Sequence, residues 1–347
     1  MPQAGDQDAG ERNGPAAVVA LGACAGGTEA VSAFVAALPR QLDAAVLVVL
    51  HDSDGAPEAL PRHLERVARL PVAQAREGET LVAGRIYVAP PDVHLRCETR
   101  RVHLDGGPRV NGLRPAADVL FASVAEHWGE RGIGVVLSGS LDDGTLGLAR
   151  IRHAGGRVFA QTPEDAAFPS MPTSAARVVP DGAAAPAGHL ADRVVAVVAE
   201  LAQLQVQGAR ARHEDNTGGG DCMVDVLSAH EVRDSGALAA LGCPECGATL
   251  WERDEDGVLG YRCRVGHTFS PESLLSRQLE TLERALWATV VALEERGELC
   301  ERLLARRRDG TGERFLEHYR HDADAVLAQA RVVRGVIDEV IRAAGSD

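Results

Sequence analysis

Residues 16–39 read AAVVALGACAGGTEAVSAFVAALP. The first eight are apolar without a break, as in a strand buried on both faces. A cysteine and two glycines follow, then an amphipathic stretch that stops at a proline. The order is strand, tight turn, helix, and it recurs. Apolar runs at 44–51 (AAVLVVLH), 84–90 (GRIYVAP), 133–139 (IGVVLSG) and 156–161 (GRVFAQ) read as further strands. The stretches PEALPRHLERVARL, PAADVLFASVAEHW and GTLGLARIRHAG read as amphipathic helices between them. This βαβ rhythm predicts an α/β fold, a doubly wound, mostly parallel sheet. VHLDGGPRV at 102–110 carries turn residues and reads as part of a hairpin.

The texture changes near residue 206. Residues 207–221, QGARARHEDNTGGGD, are polar and end in a triple glycine, the composition of a linker. A cysteine-rich segment follows, then two helical patterns. Leu275, Leu279, Leu282, Leu286, Val290 and Leu293 form one apolar stripe, and Phe315, Tyr319, Val326, Val333, Ile337 and Val340 another. RRRDGTG at 306–312 separates them. The expected organisation is a disordered lead-in (1–14), an α/β domain (15–206), a linker (207–240), a small zinc-ribbon-like module (241–269) and an antiparallel helical hairpin (270–345) whose stripes pack on each other.

The chain has 347 residues, 45% hydrophobic but only 3% aromatic, so its core is built from Ala, Val and Leu. Net charge is −14, and with no lysine in the chain the positive charge is all arginine. A balance this acidic argues against non-specific binding to nucleic acid or to anionic membranes. No stretch approaches the roughly 20 apolar residues that span a bilayer. The polar N-terminus lacks the features of a signal peptide. The seven cysteines are Cys24, Cys97, Cys222, Cys243, Cys246, Cys263 and Cys300. An odd count with three of them clustered points to a reducing, cytoplasmic setting and a metal site, not to a disulfide framework.

In an open parallel sheet, ligands bind beyond the carboxyl ends of the strands. Cys24 follows the first strand, His51 closes the second, and Asp142 and Asp143 follow IGVVLSG. A thiol, an imidazole and a carboxylate at one sheet edge make a nucleophile, a base and its orienting acid. Cys24 precedes a helix, where unpaired N–H groups favour a thiolate and can hold an oxyanion. The backbone of Ala25, Gly26 and Gly27 would supply that loop, the glycines allowing close approach of substrate. Each residue also has a plainer reading: a buried core thiol, a histidine capping a strand, an aspartate in a turn or at a helix N-terminus.

The stretches GACAGGTEA, VVLH, GRIYVAPPDVHL, GPRVNGLRPAADVLF, GVVLSGSLDDGTLGL and FAQTPEDAAFPSMP, in this order, resemble the CheB-type chemotaxis protein-glutamate methylesterases over residues 16–200. The resemblance implies a parallel α/β sheet that hydrolyses glutamate methyl esters on chemoreceptors, with deamidation of receptor glutamines in many members. It places the family's Ser-His-Asp triad on Cys24, His51 and Asp143. It also implies methyl-accepting chemoreceptor-like partners, with a CheR-type methyltransferase as a further candidate. Two departures stand out. The family's G-A-S-[TA]-G-G has Cys24 for serine, and its G-M-G-x-D-G loop reads Gly139-Ser140-Leu141-Asp142-Asp143-Gly144 here. The receiver domain that usually precedes the esterase is not in this sequence, so activation by phosphorylation in cis is not expected.

Cysteine changes the chemistry. A thiolate attacks readily, but the tetrahedral adduct then expels thiolate more easily than methoxide, so His51 must protonate the leaving oxygen early. Three readings follow: a hydrolase acting through Cys24, a catalytically altered binding module, and a redox-sensitive thiol switch.

CPECG at 243–247 and CRVGH at 263–267 are separated by a spacing that suits tetrahedral Zn²⁺ held by Cys243, Cys246, Cys263 and His267. Four protein ligands leave no open position, so such a zinc is structural. No cofactor is expected for catalysis itself.

Overall fold

The computed structural model describes residues 14–51, 59–214, 236–255, 258–305 and 313–344. The lead-in up to residue 13, Cys222 and the RRRDGTG break lie outside the described residues. The chain divides into two units, Met1–Leu274 and Leu275–Asp347.

In the first unit the elements run β1 (Ala17–Ala23), α1 (Gly27–Ala37), β2 (Ala44–Leu50), α2 (Ala59–Val67), β3 (Val72–Gln74), β4 (Arg85–Val88), β5 (His94–Glu98), β6 (Arg101–Asp105), α3 (Ala117–Trp128), β7 (Gly132–Val136), α4 (Thr145–His153), β8 (Arg157–Gln161), α5 (Ser170–Ala175), β9 (Ala184–Ala185) and α6 (Ala187–Glu214). Seven parallel strands form one sheet in the order β3-β4-β2-β1-β7-β8-β9. From β1 the chain builds outward to β2 on one side, then returns to lay β7 on the other. That reversal is where open α/β sheets open a crevice.

Every residue of β1 and β2 is buried, which is why both strands are apolar without alternation. Side chains still alternate in direction. Ala17, Val19, Leu21 and Ala23 pack toward Val31, Phe34 and Val35 of α1 and Leu190 and Val194 of α6. Val18 and Ala20 point the other way, toward Leu120, Phe121 and Val124 of α3. The helix α6 continues to Glu214, into the stretch whose composition reads as linker. Of the stretch 102–110, residues through Asp105 form the second arm of the β5–β6 hairpin. The turn falls earlier, at Thr99, whose φ of +56° reverses the chain ahead of the glycines.

A second, antiparallel sheet of four strands follows: β10 (Ala237–Gly242), β11 (Thr249–Glu255), β12 (Val258–Cys263) and β13 (Thr268–Phe269). Its buried cluster is Ala239, Cys243, Leu250, Cys263, Phe269 and Leu274. That is too little apolar burial to hold a sheet of this size by itself.

Helices α7 (Pro271–Ala305) and α8 (Glu313–Ala344) complete the chain. In the second unit they are cross-linked by Arg296–Asp322 at 3.0 Å and Arg334–Glu294 at 2.6 Å. Val290, Cys300, Val326, Ala330 and Ile337 are buried between them. The expected mutual stripe is only partly used, because Leu275 and Leu282 are exposed. The side chains of Phe315 and Tyr319 lie outside the described residues. Among the described residues no helix is long and apolar enough to cross a membrane.

Candidate functional site

The register of the sheet brings the sequence-predicted residues together. β1 pairs with β2 from Ala17↔Ala44 to Ala23↔Leu50, so Cys24 and His51 leave the sheet side by side. The His51 N–H donates to the Ala23 carbonyl at 3.2 Å, extending that ladder. On the other side the Cys24 N–H donates to the Ser138 carbonyl at 2.9 Å, past the end of β7. Parity does the rest. Cys24 falls on the same face as Val18 and Ala20 and packs against the α3 cluster, and His51 follows Val49 of that cluster by two residues.

Asp143 comes from the loop between β7 and α4. Its Oδ2 lies 3.4 Å from His51 Nε2. This is within ion-pair range but long for a hydrogen bond, and neither imidazole nitrogen has a well-formed one. Such contacts tighten when substrate binds. The carboxylate itself is firmly held. Oδ2 accepts the Ala117 N–H at 2.6 Å, and Oδ1 accepts the Asp118 N–H at 3.3 Å and Asn111 Nδ2 at 3.2 Å.

The turn after β1 needs Gly26. Its φ is +64°, and a Cβ there would meet Ala167 Cβ at 2.8 Å and Ser138 Oγ at 2.9 Å. The Gly27 N–H donates to the Cys24 carbonyl at 2.8 Å, so that donor of the expected loop is already engaged. The N–H groups of Ser140 and Ala25 instead favour negative charge on the Cys24 sulfur. Phe168, 46% exposed, stands beside this turn and offers an apolar wall.

Burial by itself would raise the Cys24 thiol. His51 and the two N–H groups outweigh it, and Cys24 ionises below the ordinary thiol value. Burial likewise disfavours the His51 imidazolium, yet Cys24, Asp143 and the Pro115 carbonyl raise it above the ordinary histidine value. Both shifts run toward a thiolate–imidazolium pair. The sign gives a prediction. Alkylation of Cys24 by iodoacetamide, followed by peptide mass mapping, should rise with pH through a midpoint below that of a free cysteine. In His51→Ala the midpoint should move up, because the charged partner goes and burial stays. An unmoved midpoint would break the link between the two residues.

Leu141 has a φ of +61° in this loop, where the family pattern has glycine. A left-handed leucine is strained by roughly 1–2 kcal/mol. Leu141→Gly is expected to raise stability by about 1 kcal/mol, less the entropy glycine loses on folding, as read by urea denaturation.

Two residues around Asp143, Asn111 and Asp118, escaped the sequence reading, and Asp142, named there only as a strand-end carboxylate, has contacts that spacing did not foretell. Asn111, 2% exposed, donates Nδ2 to both Asp143 and Asp118 Oδ2, the latter at 2.9 Å. Asp118 also accepts the Gly147 N–H at 2.7 Å. Burial, together with the charge of Asp143, pushes Asp118 well above the usual carboxylate range. Asp142 accepts the hydroxyls of Ser270 at 2.7 Å and Ser273 at 2.9 Å, and burial raises it too. The motif GPRVNGLRPAADVLF held both Asn111 and Asp118 in plain view, but nothing in spacing alone ties them to a distant loop.

Cys243, Cys246, Cys263 and His267 form a second cluster, their ligand atoms all within 4.8 Å of one another. Cys246 Sγ lies 3.7 Å from Cys263 Sγ, and His267 Nδ1 lies 3.6 Å from Cys243 Sγ and 3.5 Å from Cys263 Sγ. A tetrahedral ion with bonds of about 2.0–2.3 Å spaces its ligands roughly 3.5–3.8 Å apart, so these residues can hold a metal ion. Two knuckle turns aim them. Gly247 N–H bonds Cys243 O at 2.8 Å, and Gly266 N–H bonds Cys263 O at 3.0 Å, both glycines having positive φ. Cys97 is buried elsewhere, with its thiol pushed up to about 12 by burial, and Cys300 lies between α7 and α8.

Comparison with known proteins agrees with the α/β half of this picture. The family described as CheB methylesterase matches residues 19–194. A protein-glutamate methylesterase/protein-glutamine glutaminase of Symbiobacterium thermophilum is 37% identical over 191 residues, covering 54% of this chain and 52% of that protein. A protein of the same name from Anaeromyxobacter dehalogenans is 43% identical over 182 residues, covering 52% and 50%. The crystal structure of the Thermotoga maritima CheB methylesterase catalytic domain superposes with a TM-score of 0.50 at 28% identity, covering 52% of this chain and 98% of that one. The chain thus spans about half the length of the curated relatives it matches.

Proposed function

The chain belongs to the CheB methylesterase family, and on that premise we propose that it hydrolyses glutamate methyl esters, and the corresponding glutamine amides, on methyl-accepting chemoreceptor-like proteins through Cys24, His51 and Asp143. The observation that carries this reading is the alignment of Cys24 with His51 across β1 and β2, with Asp143 Oδ2 3.4 Å from the imidazole.

In this reading the Cys24 thiolate attacks the ester carbonyl carbon, and the oxygen takes the negative charge. The N–H groups of Ala25 and Ser140, which already favour negative charge on the sulfur, would serve as its donors. His51, as imidazolium, gives its proton to the methoxy oxygen as the C–O bond breaks, and methanol leaves. A thioester to Cys24 remains. His51, now neutral, takes a proton from water, the hydroxyl adds to the thioester, and the thiolate departs to leave a free glutamate carboxyl. Asp143, held by the Asn111, Ala117 and Asp118 donors, orients the ring and offsets its charge.

The Cys243, Cys246, Cys263 and His267 cluster we assign to a structural Zn²⁺, in keeping with its ligand spacing and closed four-donor set. The protein would work in the cytoplasm, alongside a CheR-type methyltransferase that supplies the methylated glutamates.

The test is release of methanol from methylated receptor fragments by the full chain. Multiple turnovers, with a thioester trapped by hydroxylamine in the presence of substrate, support the reading. Tight binding of the fragments without methanol or trapped acyl group would replace it with a binding role.

A further inference from the structure

The metal-binding ribbon does not stand apart from the candidate site. The Asn111 N–H donates to the Thr268 carbonyl at 2.7 Å, and Val110 bridges to Thr268. Immediately after β13, the Ser270 N–H donates to Asn111 Oδ1 at 3.0 Å. The two ends of one buried amide are therefore spoken for by different parts of the chain. Its oxygen is gripped by the ribbon and its nitrogen is aimed at Asp143 and Asp118. Asp142, next to Asp143, takes the Ser270 and Ser273 hydroxyls, and Ser270 Oγ also accepts the Ser273 N–H at 3.0 Å, capping α7. Glu272 adds contacts to Ser174 at 3.1 Å and Arg177 at 2.9 Å. The knuckle that carries His267 thus leads within three residues to a backbone group that fixes a donor to Asp143.

We infer that Asn111 is a positioning residue for Asp143 and that the ribbon, through Thr268 and Ser270, sets its geometry, so that the metal module is a working part of the active site. The inference rests on the Cys24–His51–Asp143 reading. Asn111 suits this task for two reasons. Its amide offers an acceptor and two donors in one plane. Its φ of +54° is one that asparagine tolerates better than most residues, letting the side chain turn inward between the ribbon and α3.

The test uses the full, metal-loaded chain and two variants that cut the link at different ends. Asn111→Gly removes the amide but keeps a residue that accepts positive φ. Cys246→Ser weakens the ribbon from its exposed knuckle. Two readouts are followed. Hydrogen exchange of the Ala117 and Asp118 amides reports on the bonds to Asp143 directly. The pH midpoint of Cys24 alkylation reports on whether that order reaches the nucleophile, with His51→Ala as control. Both variants should speed exchange at Ala117 by roughly tenfold to a hundredfold, as expected when a hydrogen bond to a charged group loosens. Asn111→Gly should also raise the alkylation midpoint by about one pH unit, and Cys246→Ser should raise it in the same direction by less. Unchanged exchange at Ala117 in both variants overturns the inference. So does faster exchange with an unmoved midpoint, when His51→Ala moves it. If His51→Ala itself leaves the midpoint alone, the Cys-His reading fails, while exchange at Ala117 still decides whether the ribbon holds Asp143.

Discussion

Cys24→Ala is expected to lower methanol release from methylated receptor fragments by on the order of 10⁴-fold or more, the usual consequence of deleting a nucleophile from such a set. The physical case is local. Cys24 occupies a turn held by its own N–H on the Ser138 carbonyl, by the Ser138 hydroxyl, which donates to the Ala25 carbonyl and accepts the Phe168 N–H, and by the Gly139 N–H on the Phe168 carbonyl. Trimming a sulfur there leaves those bonds intact, so the loss belongs to chemistry and not to folding. Cys24→Ser is the informative partner. Oxygen restores the residue the family pattern carries, and its adduct no longer favours return of the nucleophile over departure of methoxide. The serine form should therefore release methanol at least as fast as wild type, while losing the rapid alkylation. Alanine with near-wild-type turnover would remove Cys24 from the mechanism. Activity confined to the serine form would mean that the native chain binds its partner without hydrolysing it.

Removing the metal is expected to have the largest effect on structure. Structural zinc contributes apparent binding free energies of about 10–16 kcal/mol in small zinc modules. Among its described residues the ribbon's cluster holds six buried ones, two of which are the ligand candidates Cys243 and Cys263. It cannot offset the loss of such an ion with apolar burial. A strong chelator, or Cys263→Ser, should release one equivalent of zinc and unfold β10 to β13. Elemental analysis would give the stoichiometry, and the emission of Trp251 on β11 would shift to that of a solvated indole. The seven-stranded sheet should persist in circular dichroism, since its two large clusters lie elsewhere. A ribbon that keeps its Trp251 emission without metal would show that the cluster is not what holds it.

The sheet was legible because burial on both faces leaves a plain signature: β1 and β2 are apolar at every position. β3 and β9 were not, being three and two residues long with no run to notice. The strands of the ribbon hid for another reason. TLWERDE and VLGYRC are mixed in polarity, because the sheet they form buries only a small cluster among its described residues. Cys24, His51 and Asp143 could be offered as candidates from their places at strand ends. Asn111 and Ser270 could not, since their bond joins residues 159 positions apart and uses a backbone group that no sequence pattern marks. The apolar stripes of α7 and α8 overstated the packing, because periodicity reports an apolar face without saying what covers it.

The level start of β1 and β2, Ala17 opposite Ala44, and their equal length of seven residues make the two strands a ruler for the candidate pair Cys24 and His51. A ruler of this kind has no fine adjustment. Deleting one residue from either strand would carry Cys24 or His51 through the sheet to the α1 side. A scan of single deletions should then be all-or-none across 17–23 and 44–50, and graded across the Thr99 turn. For remote relatives the consequence is practical. Residue identity along these strands can drift through Ala, Val, Ile and Leu, but an alignment that opens a gap inside either one has lost the site.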